Sequence, residues 1–345
     1  MLPVSITARK ASTWRGFSDL ITFCYPMRAY FDFTDDWGAC SDQSMGSRPK
    51  SVRIREMAPR DGLQIEKEWI PTERKVELID ALSGTGVHGM QYTSFVPAKW
   101  VPQFKDADEV AARIKRNPAV KYIGLIPNLK GLDRAVTAGV DEISLPAAAT
   151  ESFARKNLNR SVAECIETVA EVVKAAPDGL VVSCALSVSF GCPYEGLVPA
   201  ARVVEICERL GEIGVGVITL ADTTGMGNPD LVAEIVSRVR QRSAGVPIAV
   251  HVHNTRGAGL ANALAALQEG IDLFDGSVGG LGGCPYAPRA TGNIATEDLV
   301  NMLHGMGVQT GVDLNALVAC AELAEKIVGK TLPGQVMHAG IWPPH

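Results

Sequence analysis

The chain has 345 residues, 46% of them hydrophobic and 21% charged, with 34 Gly and 20 Pro. That apolar share supports a sizeable core and excludes intrinsic disorder as the main state. A formal net charge of −5 offers no basic field for nucleic acid or an anionic membrane, and no apolar run nears the roughly 18 residues that span a bilayer.

Residues 1–50 mix aromatics, methionines and turn residues without a sustained period of 2 or 3.6, and they lack the apolar stretch of a secretory signal. Arg9, Lys10 and Arg15 beside Ser and Thr have the composition of an organellar transit peptide, whereas Asp19 and the acidic residues after it oppose one. Met45 stands just before the first convincing strand and is an alternative start. The stretch reads as an extension with no catalytic role. The expected location is cytoplasmic, or the mitochondrial matrix if the extension is a transit segment.

From Ser51 onward, short apolar β-rich runs predict strands over Val52–Met57, Gly89–Val96, Tyr122–Ile126, Glu142–Pro146, Leu180–Val188, Val215–Leu220, Ile248–Val252 and Leu273–Val278. Helical patterns lie between them. Thr72–Ser83 places Val76, Ile79 and Leu82 on one face, and Ser161–Ala175 opens on a Ser with Glu164 three residues on. Gly86, Gly139, Gly214 and Gly270 follow helices as stop signals. Eight strands alternating with helices over about 230 residues predict an α/β fold, a (β/α)8 TIM barrel spanning 51–296. An open doubly wound sheet is the alternative. It fits less well because the chemistry-bearing motifs stand at the first, sixth, seventh and eighth strands, and only a closed barrel brings the first beside the eighth. Helical segments at Glu297–Met306 and Asp313–Val328 form a C-terminal cap and tail, 297–345, that covers the barrel or serves an oligomer.

Three stretches carry chemistry. In Val250-His251-Val252-His253-Asn254 the two histidines are two apart, so a strand points both imidazoles to one place, either as a paired site or as satisfied core residues. Two imidazoles do not name a metal: zinc would want a thiolate, a carboxylate or a third His, and magnesium or manganese would want oxygen donors. In Ala58-Pro59-Arg60-Asp61-Gly62-Leu63-Gln64, Pro59 and Gly62 turn the chain so that Arg60 and Asp61 emerge at the C-terminal mouth, or form a surface ion pair. The glycine-dense run from Ser277 to Tyr286, followed by Gly292-Asn293, is a phosphate cradle, a wide turn or a mobile lid. It lacks the Lys-Ser/Thr of a nucleotide loop, which favours a lid carrying Cys284. The other cysteines are Cys24, Cys40, Cys165, Cys184, Cys192, Cys207 and Cys320. No pair has C-x-x-C spacing, so neither a zinc knuckle nor a disulfide framework is expected, and a reduced compartment fits.

The motifs APRDGLQIEK (58–67), TSFVPAKWVPQ (93–103), GCPYEG (191–196) and SVGGLGGCPYAPRATGNIATEDLV (277–300) resemble the 3-hydroxy-3-methylglutaryl-CoA lyase family, metal-dependent barrel enzymes related to the isopropylmalate and homocitrate synthases. The resemblance runs from about Val52 to about Lys326. It implies Asp61, His251, His253 and Asn293 as ligands of a divalent cation, Mg²⁺ or Mn²⁺. It further implies Arg60 facing the substrate, Asp222 beside the metal-bound water, and Cys284 closing over the site. Asp222 also has a structural alternative, as a helix cap ahead of Asn228-Pro229. The family usually has Ala at the position of Gly279, a difference expected to be harmless. Two departures weigh more: Gln91 and Asn254 stand where the family usually has carboxylates, Gln91 in a substrate-facing position at the end of the second strand. Both remove negative charge near the metal, which either changes the acyl group accepted or the rate, or leaves the family substrate unchanged with the Gln91 amide keeping the hydrogen-bond role.

The implied reaction is retro-Claisen cleavage of a 3-hydroxyacyl-CoA. For the family substrate it gives acetyl-CoA and acetoacetate, a step of leucine degradation and ketone-body formation. The implied partners are an acyl-CoA substrate and a second copy of the chain, in a homodimer or higher homo-oligomer, with no nucleic acid and no membrane. The rivals are the same chemistry on a related thioester such as citramalyl-CoA, a condensing synthase, an amidohydrolase-type metal hydrolase, and a silent scaffold. The hydrolase class needs further histidines downstream of the pair, and only His304, His338 and His345 follow it, outside barrel-strand contexts.

Overall fold

Alternate residues along eight short strands meet opposite environments, and this alternation explains why the sheet closes. The computed structural model describes residues 48–243, 245–283 and 292–342. In chain order the elements are β1 (Arg53–Glu56), α1 (Thr72–Ser83), β2 (Gly89–Ser94), α2 (Ala107–Arg113), β3 (Lys121–Leu125), α3 (Leu129–Thr137), β4 (Glu142–Ala148), α4 (Glu151–Phe153), α5 (Val162–Ala175), β5 (Val181–Ser187) and α6 (Ala200–Ile213). Then follow β6 (Val217–Asp222), α7 (Pro229–Arg242), β7 (Ile248–Val252), α8 (Gly259–Gln268), β8 (Leu273–Gly276), α9 (Thr296–Gly305), α10 (Leu314–Val328) and α11 (Val336–Ala339). The strands pair in sequence order, all parallel, and β8 returns to β1 from Arg53↔Leu273 to Glu56↔Gly276. That closing pair excludes the open doubly wound sheet. The extension, Met45, Cys24, Cys40 and Cys284 lie outside the described residues.

One set of strand residues (Ile54, Tyr92, Ile143, Cys184, Ile218, Val250 and Phe274) is fully buried and joins a single apolar core with helix residues such as Leu78, Leu82, Val169, Val236 and Ala266. Burying side chains of this size contributes about 1.5–3 kcal/mol each. The opposite set carries Arg55, Glu142, Thr219, His251 and Asp275. Arg55 on β1 bonds side chains from β4, β6 and β8, so its guanidinium lies inside the barrel.

Local signals end the elements where their chemistry requires. Ser161 and Glu164 form the expected capping box at α5. Gly214 closes α6 at φ 94°, a left-handed conformation that favours glycine. The predicted helix at Asp313–Val328 begins one residue later, because Asp313 is itself the cap and accepts from Ala316 N at 3.1 Å. Residues 58–62 form one wide helical turn, with Pro59 in its first positions, where an amide hydrogen would go unused. α10 packs against α1 and against the turn 278–280. Gly279 in that turn has φ 66°, and a Cβ there would meet Leu332 Cδ1 at 2.5 Å, so Leu332 fills the space an alanine would take.

Candidate metal centre at the barrel mouth

The turn after β1 presents Asp61, and a buried carboxylate below it fixes that turn. Glu56 Oε1 accepts from Ala58 N at 2.8 Å and from Val278 N at 3.1 Å, while Oε2 accepts from Thr296 Oγ1 at 2.7 Å. Glu56 thus ties the loop after β1 to the loop after β8. Burial pushes its carboxyl up to about 7, against those hydrogen bonds.

Above it, Arg60 Nη1 donates to Asp61 Oδ1 at 2.7 Å and Arg60 Nε donates to Gln91 Oε1. Gln91 is buried at its place on β2. Asn293 Nδ2 donates to Asp61 Oδ2 at 2.8 Å and to Leu281 O at 3.2 Å. Burial alone would raise the Asp61 carboxyl, but Arg60, His251, His253 and the Asn293 amide together hold it well below the usual carboxylate range.

β7 delivers the imidazoles. His251 Nε2 and His253 Nε2 lie 3.1 Å apart, and the backbone of His253 bridges that of Asn293. Burial, then the neighbouring His251, drives His253 down to about 3, so it is neutral at neutral pH with a lone pair to offer. Its Nδ1 is buried without a hydrogen-bond partner among the described residues. One ligand atom each from Asp61, His251 and His253 fall within 4.8 Å of one another. The expected ligands therefore converge, with Asn293 against Asp61, and Arg60 and Gln91 form the flank.

This donor set fits a divalent cation. It combines two neutral nitrogens, a carboxylate and a neighbouring amide, and no cysteine joins the group among the described residues. Adjacent donors of an octahedral ion at about 2.1 Å stand about 3.0 Å apart, close to the 3.1 Å between the two Nε2 atoms.

Asp222, at the end of β6, is buried and accepts from Met226 N at 2.9 Å and Gly227 N at 3.1 Å. The cap of α7 is Asn228, which accepts from Leu231 N at 3.0 Å, so the helix-cap alternative for Asp222 is corrected. Burial raises the Asp222 carboxyl despite those amides. Asn254 Oδ1 accepts from Gly259 N, the first residue of α8, at 3.1 Å. Next to His253 in the chain, it turns to a helix start, where Asn and Asp serve equally well.

Sequence reasoning missed Glu56, Arg55, Glu142, Thr219 and Asp275. Asp275 Oδ2 lies 3.3 Å from His251 Nδ1 and Oδ1 accepts from Arg55 Nε at 2.7 Å. Burial would raise Asp275, but Arg55 and His251 keep it low. A charge at every second residue of an apolar strand, as in VRIRE before the first motif, was the available signal.

A closed parallel barrel whose mouth gathers a carboxylate, two imidazoles and an adjacent arginine defines a class, the barrel enzymes with a metal centre at the C-terminal ends of their strands. Within that class the chain belongs to the HMGL-like family, whose model matches residues 51–324. It is 44% identical over 306 residues to the mitochondrial hydroxymethylglutaryl-CoA lyase of Mus musculus, covering 87% of this chain and 93% of that one. The crystal structure of the Bacillus subtilis HMG-CoA lyase is similar with a TM-score of 0.83 at 43% identity, covering 85% of this chain and 99% of that one. An HMG-CoA lyase from Acinetobacter baumannii, solved with coenzyme A and 3-methylmalate, is similar with a TM-score of 0.82 at 40% identity, covering 87% of this chain and 99% of that one. Among the described residues, no helix is long and apolar enough to cross a membrane.

Proposed function

We propose that this chain is a lyase that cleaves 3-hydroxy-3-methylglutaryl-CoA to acetyl-CoA and acetoacetate with a divalent cation, Mg²⁺ or Mn²⁺. The observation that carries the reading is the convergence of Asp61, His251 and His253 beside Arg60. The names of the relatives support the substrate.

Asp61, His251, His253 and Asn293 would hold the ion. When bound, it supplies Lewis acidity that lowers the pKa of the substrate hydroxyl and steadies the forming ketone. Asp222, rigidly held and raised by burial, accepts the hydroxyl proton. The C2–C3 bond then breaks, its electron pair passing to the thioester as an enolate while C3 becomes the ketone carbon. Arg60 is oriented by Asp61 and Gln91, so its remaining N–H groups face the developing oxyanion. Cys284 donates a proton to C2, which completes acetyl-CoA.

One observation favours a second reading, the same cleavage on a related thioester such as citramalyl-CoA. Arg60 Nε donates to a neutral amide at Gln91, so Asp61 is its one anionic bond among the described residues. More of its charge is left for a carboxylate placed differently on the acyl group. Measuring acetyl-CoA release from methylglutaryl and citramalyl thioesters, with chelator and with Mn²⁺ restored, tests both. Turnover of neither thioester, or turnover indifferent to chelation, would contradict the proposal.

A further inference from the structure

Beneath the candidate centre a plate of polar side chains crosses the barrel. Asp275 on β8 stands in register with Arg55 of β1 on one side and His251 of β7 on the other. Its oxygens are divided: Oδ1 accepts from Arg55 Nε at 2.7 Å, and Oδ2 faces His251 Nδ1 at 3.3 Å. The rest of the guanidinium is also engaged, with Nη2 donating to Thr219 Oγ1 at 2.9 Å and Nη1 to Glu142 Oε1 at 3.4 Å. Arg55, Glu142, Thr219 and Asp275 are each only 4% exposed.

Stability alone does not account for such a plate, because well-packed apolar side chains often serve a core as well as a buried ion pair does. Its geometry gives another reason. A carboxylate accepts and cannot donate, so an Asp275 oxygen 3.3 Å from His251 Nδ1 favours the tautomer with the proton on Nδ1. That leaves the lone pair on Nε2, the nitrogen turned toward His253 at 3.1 Å. Arg55 in turn prevents Asp275 from rotating away, since Oδ1 is already committed.

We propose that Asp275, held by Arg55, is a positioning residue that fixes the tautomer and the aim of His251. The proposal rests on the metal reading above, with His251 as a ligand. Carboxylates behind ligating histidines typically account for 10–100-fold in metal affinity.

The test exploits an isosteric change. In Asp275→Asn, the amide oxygen stays on Arg55 Nε, which can only donate, so the NH₂ turns to His251 Nδ1 and drives its proton to Nε2. Nitrogen-15 shifts of the His251 ring in the metal-free protein read the tautomer directly. The expected result is Nδ1–H in the wild type and Nε2–H in Asp275→Asn. Calorimetric titration with Mn²⁺ is expected to show about 10–100-fold weaker binding by the folded variant. A wild-type ring protonated on Nε2 alone would overturn the proposal, whether or not the variant folds. So would a folded Asp275→Asn that binds Mn²⁺ as the wild type does. Failure of the wild type to bind Mn²⁺ would overturn the metal reading instead, and the wild-type tautomer then decides the role of Asp275.

Discussion

Phe274 and Asp275 are neighbours on one strand and serve opposite ends. Phe274 points into the apolar layer beneath the helices, where it is fully buried, while Asp275 points into the barrel and holds a histidine and an arginine. The same division runs around the sheet: Ile54 against Arg55, Ile143 against Glu142, Val250 against His251. The outward face makes the barrel, and the inward face sets the site. A period of 2 lets one strand do both, so a substitution should damage one property and largely spare the other.

Phe274→Ala should give the largest effect. It removes a large side chain from a filled layer and is expected to cost about 3–5 kcal/mol in chemical denaturation, with Mn²⁺ affinity of the folded protein unchanged. Loss of metal binding without loss of stability would break the division between faces.

His253→Ala is the inward counterpart. It should lower turnover on the order of a hundredfold or more, and excess Mn²⁺ should restore little of it. Stability should barely move, because the change also removes a buried Nδ1 that has no partner among the described residues. Wild-type turnover in chelating buffer would contradict the assignment.

Gln91→Glu sharpens the account of selectivity. A carboxylate there would pair with Arg60 and compete with the substrate's own anion. It should shift the ratio of kcat/KM for methylglutaryl over citramalyl thioesters by about tenfold. An unmoved ratio would make the amide neutral.

The last effect concerns pH. Burial pushes Glu297 up to about 8 from an ordinary 4.5, although both its oxygens lie 3.0 Å from Gly279 N. The native state therefore binds a proton that the unfolded chain releases between those values. Stability should fall as pH rises through that window. Glu297→Gln should flatten the slope of melting temperature from pH 5 to 8, and an unchanged slope would contradict it.

The barrel was legible because its signals are local. Apolar runs, the Ser161 cap and the Gly214 stop each act within a few residues, and the strands emerge close to their predicted bounds. The imidazole pair was legible for the same reason, since His251 and His253 share one strand. The plate behind them was not. Arg55, Glu142, Thr219 and Asp275 come from four strands, and Arg55 and Asp275 are 220 positions apart, so only closure joins them. The bond from Gly259 N to Asn254 was not legible either, because it depends on where α8 starts.

The central claim is that Asp61, His251 and His253 form one metal centre. Electron spin-echo spectroscopy of the Mn²⁺-loaded protein tests it most directly, because nitrogen modulation reports imidazoles bound to the ion. The account predicts one Mn²⁺ per chain with modulation from two imidazoles, reduced to one in any residual binding by His253→Ala. Bound Mn²⁺ with no nitrogen modulation, or modulation unchanged in that variant, would contradict it.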